Sequence, residues 1–344
     1  MTPTGRDAVK RLLGDRVMHC YAPYDFRFAV ERFLQRSQPK ALLILETEIW
    51  PNMIACSKAR GIPVMLLNAR LSERSAGAYG RVAGLIKPVL QQLDWVACQY
   101  PADRDRFTTL GVNPEQLECV GNIKFDVAEP DQKNAANPEV ELVAQCVDSA
   151  ARNCWLAGST HAGEETIILA AHAELLQRFP ELCLILVPRH PERFASVYGA
   201  CADFTTLRLS PVDLAAPQVI LVDRMGLLGE LYQYSDVAFI GGSLVAVGGH
   251  NPIEAAAASV PMLMGPKRFN FSAVCDAFMA TGSLIEVRDA KTIAQQMTKL
   301  IGDQQLRIAL GVAAKQVVAD NAGTTTLLLD GVLERLPDVD DARR

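Results

Sequence analysis

The sequence predicts an α/β protein that is built from parallel sheets and divided into two domains. Its 344 residues exceed what one hydrophobic core usually supports, and chains of this length commonly form two domains. Hydrophobic residues make up 49% of the chain and charged residues 21%, which is the composition of a folded globular protein. Short apolar runs alternate with amphipathic stretches, and this alternation is typical of parallel strands joined by crossover helices.

The apolar runs supply the strands of both predicted sheets. Each run has strand length and is followed by a polar or helical stretch, as a strand buried on both faces requires. The predicted strands are residues 41–45, 64–68, 95–98, 118–120, 155–157, 182–187, 219–221, 237–240 and 261–264. The helical patterns between and around them include residues 6–13, 25–36, 101–110, 164–178, 253–258, 273–280 and 323–336.

A polar segment rich in Ala, Asn and Pro, residues 129–138, interrupts this alternation and predicts a linker. We therefore expect one domain in residues 1–135 and a second in residues 136–322. The final segment, 323–344, contains a helix that could pack on either domain. The first domain starts on a helical pattern rather than on a strand, so we expect it to be short at its front edge.

Several functional classes are excluded by composition and motifs. The net charge of −5 opposes a general nucleic-acid binder. The glycine fingerprints of dinucleotide and nucleoside triphosphate sites do not occur. Nine scattered cysteines without a Cys-x-x-Cys pair indicate neither a zinc site nor a disulfide framework, so a reducing compartment is the simplest interpretation. We expect neither a bilayer-spanning segment nor a signal peptide.

One acidic pair matches a metal motif. Asp103 and Asp105 form a D-x-D pattern, as in metal-dependent sugar transferases. They fall in a helical stretch, where carboxylates two positions apart point in different directions. We therefore expect no metal site.

The strongest local signal is a glycine-rich segment, residues 241–250, after the predicted strand at 237–240. Glycines after a parallel strand let backbone N–H groups approach an anion, and a following helix N-terminus stabilises a phosphate. Asn251 is the expected N-cap of that helix, with Pro252 at its first position. Glu254 could accept hydrogen bonds from ribose hydroxyls. The alternative is a glycine-rich turn before a capped helix, with no ligand.

Two further strand ends in the second half carry polar residues. Arg189 follows the strand at 182–187 and could pair with a phosphate in bidentate fashion. Carboxyl ends of parallel strands share one edge of a sheet, where open α/β sheets bind ligands. Singly, such residues are more often helix caps or members of surface ion pairs. The phosphate or sugar candidates are Ser159, Thr160, Ser243, Gly249 and His250.

Three strand ends in the first half also carry candidate residues. Glu46 closes a very apolar strand and is a candidate site acid, with helix capping as the alternative. Arg70, Ser72 and Arg74 could bind an anionic acceptor, or they could form a capped, ion-paired helix start. Lys124 could stabilise developing phosphate charge, or it could pair with a neighbouring aspartate.

Together these residues resemble the 3-deoxy-D-manno-octulosonic acid (Kdo) transferase family. The resemblance implies the GT-B fold, in which two Rossmann-like domains face each other across a cleft. It also implies inverting transfer of Kdo from CMP-Kdo to the lipid A precursor, lipid IVA, with neither metal nor cofactor, at the cytoplasmic face of the inner membrane. The resemblance extends from residue 1 to about residue 336 and rests on segments 46–52, 68–75, 121–126, 188–194, 223–226 and 241–254.

The resemblance also implies roles for individual residues. Glu46 and Lys124 match positions that stabilise the transition state. The family usually carries Met-Gly-Glu at its second CMP contact, where this chain has Leu227, so that contact is expected to be lost or taken over by Glu230. The matching CMP contacts are Pro188, Arg189, Met225, Gly226, Leu227, Asn251, Pro252, Ile253 and Glu254.

A second departure from the family lies at the front of the chain. Family members begin with a membrane anchor, a strand and a loop that carries the glutamate acting as catalytic base. By resemblance, roughly 80 such residues precede residue 1, more than one βαβ unit of about 30, and we expect the base to lie outside this chain. The leading hypothesis is a Kdo transferase whose true start lies upstream. The alternatives are a CMP-binding fragment without transfer activity and a different GT-B enzyme, such as a sugar-nucleotide epimerase.

Overall fold

In a computed structural model the chain forms two α/β units, each built on a parallel sheet. The structure describes residues 3–126, 137–148, 152–209 and 217–336. Described residues up to 123, with those from 323 on, form the first unit, and those between 124 and 322 form the second. The α/β class expected from the sequence is confirmed. Residues 129–136 of the predicted linker lie outside the described residues.

The first unit contains four parallel strands in the order β1-β2-β3-β4. All residues of the two central strands are buried, as expected for strands covered on both faces. The strands are β1 Leu42–Leu45, β2 Val64–Ala69, β3 Trp95–Cys98 and β4 Leu117–Cys119. The helices are α1 Pro3–Leu13, α2 Arg27–Ser37, α3 Pro51–Lys58, α4 Glu73–Arg81, α5 Ala83–Leu90, α6 Pro101–Thr109 and, from the end of the chain, α15 Thr324–Glu334.

The last helix, α15, packs on the first unit. Leu328 and Val332 join a buried cluster with Trp95. Gly331 lies against the indole of Trp95 so closely that a Cβ there would collide with the ring. The guanidinium of Arg335 lies 4.5 Å from the centroid of the same ring, in a cation–π contact. The sequence left the partner of this helix open, and the structure assigns it to the first sheet.

The second unit contains seven parallel strands in the order β11-β10-β9-β5-β6-β8-β7. Its strands are β5 Cys154–Thr160, β6 Cys183–Pro188, β7 Thr206–Arg208, β8 Val219–Leu221, β9 Val237–Ile240, β10 Met262–Met264 and β11 Leu284–Glu286. Its helices are α7 Pro138–Asp148, α8 Glu164–Arg178, α9 Phe194–Ala200, α10 Leu228–Leu231, α11 Ile253–Ala257, α12 Ser272–Ala280, α13 Ala290–Gly302 and α14 Gln304–Asn321. Across the described residues, no helix is both long and apolar enough to cross a bilayer.

The two faces of the second sheet carry separate hydrophobic cores. Along β5, Leu156 contributes to one core, and Trp155 and Ala157 contribute to the other. This alternation follows from the period of two in a strand. Each face is covered by helices, and the functional positions are therefore left to the loops at the strand ends.

A buried histidine ties α8 to this sheet. His172 is fully buried, and its Nδ1 accepts a hydrogen bond from Nε1 of Trp155 at 3.2 Å. Its Nε2 then donates to the carbonyl oxygen of Gln218 at 3.0 Å. These partners fix the neutral ring in one tautomer. Burial lowers the pKa of His172 to about 4.

Acidification should therefore destabilise the chain. The unfolded chain binds a proton at His172 below about pH 6.5, whereas the folded chain does so only near pH 4. Stability from this residue is complete above pH 6.5 and is lost progressively down to pH 4, by about 3 kcal/mol. Urea unfolding followed by tryptophan fluorescence at several pH values measures this loss. His172→Gln should flatten the pH dependence, and an unchanged slope in that variant would contradict the assignment.

Candidate functional site

The carboxyl ends of β5, β6 and β9 meet at the point where the strand order of the second sheet reverses. Strand β5 lies between β9 and β6, and the chain continues outward from it in both directions. Crevices at such switch points are the usual ligand sites of open α/β sheets. A cavity of about 450 Å³ opens there. The sequence-predicted residues that line it are Ser159, Pro188, Arg189, Met225, Gly226, His250, Asn251 and Glu254.

Three of the expected CMP contacts do not line this cavity. Leu227 is 6% exposed and belongs to the hydrophobic core, so its side chain supports the site from below. Pro252 and Ile253 are also buried. The neighbouring Leu228 lines the cavity instead. The sequence alone does not show that Leu228 rather than Leu227 lines the cavity, because this depends on the backbone conformation at the start of α10.

The cavity wall combines a cation with a hydrogen-bond acceptor. Arg189 is exposed at the end of β6, and its backbone N–H donates to the carbonyl oxygen of Thr160 at 3.0 Å. Glu254 lies half-buried on α11, and burial raises the pKa of its carboxyl group. A guanidinium suits a phosphate, and a carboxylate suits sugar hydroxyls. The wall therefore has the chemistry of a nucleotide site.

The glycine-rich loop after β9 binds an internal carboxylate. Glu164, the first residue of α8, is fully buried. Its oxygens accept hydrogen bonds from the backbone N–H groups of Gly242 at 2.7 Å and of Ser243 and Leu244 at 2.9 Å. The N–H of His161 donates to the same carboxylate at 2.9 Å. The protein's own glutamate therefore fills the group of N–H donors that the sequence predicted for a phosphate.

Two predicted phosphate or sugar contacts in this loop have structural roles. The Oγ of Ser243 donates to the carbonyl oxygen of Ile240 and accepts from the N–H of Gly265. The N–H of Gly249 donates to the carbonyl oxygen of Gly242 at 2.7 Å, and a Cβ at Gly249 would collide with Met264. The polar groups of these two residues are thus used within the fold.

Two further phosphate or sugar candidates, Ser159 and Thr160, lie at the end of β5. Ser159 is partly exposed, lines the cavity and adopts a left-handed φ of 54°. Thr160 is fully buried, and its Oγ1 has no hydrogen-bond partner among the described residues. Ser159 therefore stays a ligand candidate.

The helix that follows the loop begins at the predicted residue, but its N-cap lies one residue later than predicted. Helix α11 starts at Ile253 with Pro252 as its N-cap, whereas the sequence predicted Asn251 as the N-cap. The Oδ1 of Asn251 still accepts the N–H of Ile253 at 3.1 Å. Pro252 therefore precedes the helix and does not occupy its first position.

Three of the chain's five histidines come together at this site. The Nε2 atoms of His161 and His250 are 2.8 Å apart, and their rings lie 10° from parallel with their centroids 5.0 Å apart. The ring of His190 meets His161 edge-on at 5.1 Å. Burial lowers the pKa of His161, and it lowers the pKa of His250 to about 4. The sequence predicted His250 as a site residue but did not predict His161. The spacing of His161 and Glu164 resembles that of a capping box, and this could have indicated that residue 161 is held in place before α8.

In the first unit, two strand ends adopt left-handed backbone conformations without glycine. Glu46 has a φ of 60° after β1, and Asn68 has a φ of 52° within β2. The Oδ1 of Asn68 accepts the N–H of Ile123 at 3.2 Å, and its carbonyl oxygen accepts from Nε2 of Gln99. Such conformations are uncommon outside glycine and concentrate at functional sites. Asn68 was not among the sequence-predicted site residues, although its position at a strand end could have indicated it.

The predicted acceptor residues differ in their surroundings. Ser72 is the N-cap of α4, and its Oγ accepts a hydrogen bond from the N–H of Ser75 at 3.1 Å. This contact is the helix cap that the sequence offered as the alternative to an acceptor contact. Arg74 is exposed, and Arg70 is partly exposed. The carbonyl oxygen of Arg70 accepts a hydrogen bond from Oγ1 of Thr47.

Lys124 begins the second unit. Its Nζ lies 5.2 Å from the centroid of the Phe271 ring. The next residue, Phe125, is buried against Phe278 at a centroid distance of 6.3 Å. Lys124 is thus held beside an anchored aromatic residue, and this limits the positions open to its ammonium group.

The D-x-D pair has a structural arrangement. Asp103 is buried, and its Oδ1 accepts the N–H of Leu71 at 2.9 Å. Burial raises the pKa of Asp103, while Asp105 is exposed. Within the described ranges, no three His, Cys, Asp or Glu side chains are grouped so that they could hold a metal ion.

Two family models match the chain. The first, described as 3-deoxy-D-manno-octulosonic-acid transferase (kdotransferase), matches residues 1–127. The second, described as glycosyl transferases group 1, matches residues 174–317. Both matches agree with a sugar-transferring enzyme.

Individual proteins are similar over most of the chain. The 3-deoxy-D-manno-octulosonic acid transferase of Haemophilus influenzae is 39% identical over 340 residues, covering 96% of this chain and 77% of that protein. The enzyme of the same name from Bordetella pertussis is 32% identical over 344 residues, covering 96% and 78%. The solved UDP-GlcNAc 2-epimerase from Neisseria meningitidis has a TM-score of 0.58 at 13% identity, covering 90% and 80%, and this likeness shows the fold alone.

The two parallel-sheet units and these matches define a glycosyltransferase with a GT-B-like fold. More narrowly, the chain belongs to the 3-deoxy-D-manno-octulosonic acid (Kdo) transferase family, as the resemblance indicated.

Removing the acceptor oxygens that hold the glycine-rich loop should destabilise the second unit. In Glu164→Gln, an amide NH₂ replaces one of the two oxygens and faces backbone N–H donors. Each unsatisfied buried donor costs about 1–3 kcal/mol, so we expect a loss of about 3 kcal/mol or more in urea unfolding. Glu174→Gln, on the exposed face of the same helix, should change stability by less than about 0.5 kcal/mol. Equal effects of the two substitutions would contradict the role of Glu164.

Proposed function

We propose that this protein transfers Kdo from CMP-Kdo to the lipid A precursor, lipid IVA, with inversion and without a metal ion. The observation that carries the proposal is the cavity at the end of the second sheet, which gathers Arg189, Ser159, Asn251 and Glu254 in one wall. Membership of the Kdo transferase family supports the identity of the transferred sugar.

The cavity suits the nucleotide part of this donor. The guanidinium of Arg189 can form charge-assisted hydrogen bonds with a phosphate. Glu254 and Asn251 offer acceptor oxygens for ribose and base, and Met225 is half-exposed and offers an apolar surface. A volume of about 450 Å³ lies within the usual range of small-ligand sites. We assign CMP to this cavity, with Pro188, Arg189, Met225, Gly226, Asn251 and Glu254 as contacts.

Inverting transfer is a single displacement at the anomeric carbon of Kdo. The acceptor hydroxyl oxygen forms the new bond while the bond to the CMP phosphate breaks, and the bonding electrons leave with that phosphate. A general base accepts the hydroxyl proton, and we assign that role to none of the described residues. In this proposal Lys124 stabilises the negative charge on the departing phosphate, and Glu46 stabilises the transition state. The ammonium group of Lys124 thereby supplies the positive charge that a metal ion supplies in other transferases.

The acceptor and the membrane surface are assigned to the first unit. Arg70 and Arg74 follow β2 and can contact the phosphate groups of a lipid A precursor. Leu85 is 76% exposed on α5. Arg81 and Lys87 lie close to it along the chain, and exposed apolar and basic side chains together favour an anionic membrane surface. We propose that this surface is the cytoplasmic face of the inner membrane.

Transfer should be detected directly with this chain. Freshly prepared CMP-Kdo and lipid IVA are mixed with the chain in detergent, with and without EDTA, and the product is followed by mass spectrometry and its anomeric configuration by NMR. We expect a Kdo-modified lipid of inverted configuration, formed at equal rates in both samples but about a hundred- to ten-thousandfold more slowly than with a general base, because that role is assigned to none of the described residues. Loss of activity in EDTA would contradict metal independence. CMP binding without transfer would favour the donor-binding fragment instead.

Substitutions at Arg189 and Lys124 should affect different kinetic constants. Arg189→Ala removes a charge-assisted contact with the bound donor, so KM for CMP-Kdo should rise by about ten- to a hundredfold. Lys124→Ala removes charge stabilisation in the transition state, so kcat should fall by about a hundredfold with little change in KM. Steady-state kinetics separate the two effects. Arg288→Ala, whose side chain is 74% exposed on the surface, is the control. A normal kcat for Lys124→Ala would refute its assigned role.

A further inference from the structure

The paired histidines beside the donor cavity present a hydrogen-bonding pattern that depends on one proton. A separation of 2.8 Å between the Nε2 atoms of His161 and His250 has room for a single proton. One ring therefore donates Nε2–H and the other accepts it. Two imidazolium rings cannot occupy this arrangement, because both Nε2 atoms would then carry a proton. The pair can hold no more than one positive charge.

The state of the Nδ1 atoms follows from this shared proton. In the neutral pair, the ring that donates through Nε2 has a bare Nδ1, and the other ring has Nδ1–H. Adding one proton converts the bare Nδ1 into a second donor, so that each ring then presents one Nδ1–H. Neither Nδ1 has a hydrogen-bond partner among the described residues. The protonated pair thus presents two donors and one charge, which is the chemistry of an anion site.

The position of the pair is fixed by the surrounding backbone. The N–H of His161 is bound by the carboxylate of Glu164, and the N–H of His250 donates to the carbonyl oxygen of Gly241 at 3.1 Å. His250 lines the cavity together with Arg189. A ligand in that cavity therefore meets a histidine whose partner is held in place.

Burial first, and then the charged groups around the pair, decide how readily each histidine is protonated when no anion is bound. His161 faces Glu164 and Glu165, which raise its pKa, and His190 and Arg193, which lower it, while burial has the largest effect and lowers it. For His250, burial lowers the pKa first, and His161, Arg189 and His190 lower it further. A bound anion adds further negative charge beside the pair, so it favours uptake of a proton.

We propose that His161 and His250 form an anion contact for the donor and take up one proton from solvent when the donor binds. The inference rests on the proposed function, since it assumes that an anionic sugar nucleotide occupies this cavity. A CMP-activated sugar acid carries two anionic groups, a phosphodiester and a carboxylate, and Arg189 can hold one of them. The pair then contacts the other, or shares the phosphodiester with Arg189. The donor, the neutral pair and one proton from solvent form a complex in which the pair carries one positive charge. No bond of the donor breaks in this step.

Calorimetry tests this proposal. Binding enthalpies are measured at about pH 6.5 in two buffers of different ionisation enthalpy, and their difference gives the protons taken up. The ligands are the methyl ester of CMP, which carries only a phosphodiester, freshly prepared CMP-Kdo, which adds the carboxylate, and cytidine, which carries neither. We expect uptake of about half to one proton, and a Kd that falls by up to about tenfold for each pH unit between pH 8 and pH 6.

The three ligands distinguish the anion that is bound. Uptake with the methyl ester assigns the pair to the phosphodiester, and uptake with CMP-Kdo alone assigns it to the carboxylate. Binding of CMP-Kdo without proton uptake would overturn the proposal and leave the proposed function standing. Failure of both CMP compounds to bind would overturn the proposed function, and the proposal with it.

Three variants identify the histidines responsible. His161→Gln and His250→Gln should each abolish proton uptake and flatten the pH dependence of Kd, because an amide cannot be protonated in this range. The matched control is His190→Gln, which removes a ring that touches His161 edge-on but shares no hydrogen bond with the pair. This control should keep the proton uptake. Loss of uptake in His190→Gln alone, with uptake kept in the other two, would overturn the assignment to the pair.

Discussion

The carboxylate of Glu164 is the interaction on which the donor side of this protein depends. A buried carboxylate is costly to remove from water, and the cost is offset only if its oxygens receive several hydrogen bonds. Here four backbone N–H groups supply them, one from the loop after β5 and three from the loop after β9. Neither loop can move away without leaving charge unsatisfied, so the two loops form a single rigid wall.

This arrangement decides how the protein can recognise an anion. In many phosphate sites the N–H groups of a glycine-rich loop bind the ligand themselves. In this protein those donors are occupied by Glu164, so anion recognition passes to side chains. Arg189, Arg224 and the pair formed by His161 and His250 are cationic or protonatable groups at this cavity that can perform it. Side-chain recognition depends on pH where histidine takes part, whereas backbone recognition does not.

The sequence predicted the four strands of the first sheet and the five inner strands of the second, but it missed the two edge strands of the second sheet, for a physical reason. Strands buried on both faces must be continuous apolar runs, as in β2 and β6. Strands β7 and β11 have three residues each, lie at opposite edges of the second sheet and carry polar or charged residues, so no apolar run marks them. The site could be located from glycines and polar strand ends. The binding of the Glu164 carboxylate by the glycine-rich loop could not be predicted from the sequence. An acidic residue in the first turn of a helix is common, because it stabilises the helix by itself.

Backbone conformation adds a separate argument about where function lies. Ser159 has a positive φ in the second unit, as do Glu46 and Asn68 in the first, each at or near the carboxyl end of a parallel strand. A non-glycine residue in this region costs of order 1 kcal/mol or more, and glycine would remove that cost. At Gln38 the same conformation simply ends helix α2. No helix ends at these strand ends, so we infer that the side chain is needed there despite the cost of its backbone conformation. Asn68, which was not among the sequence-predicted site residues, is therefore a candidate functional residue, as Glu46 is.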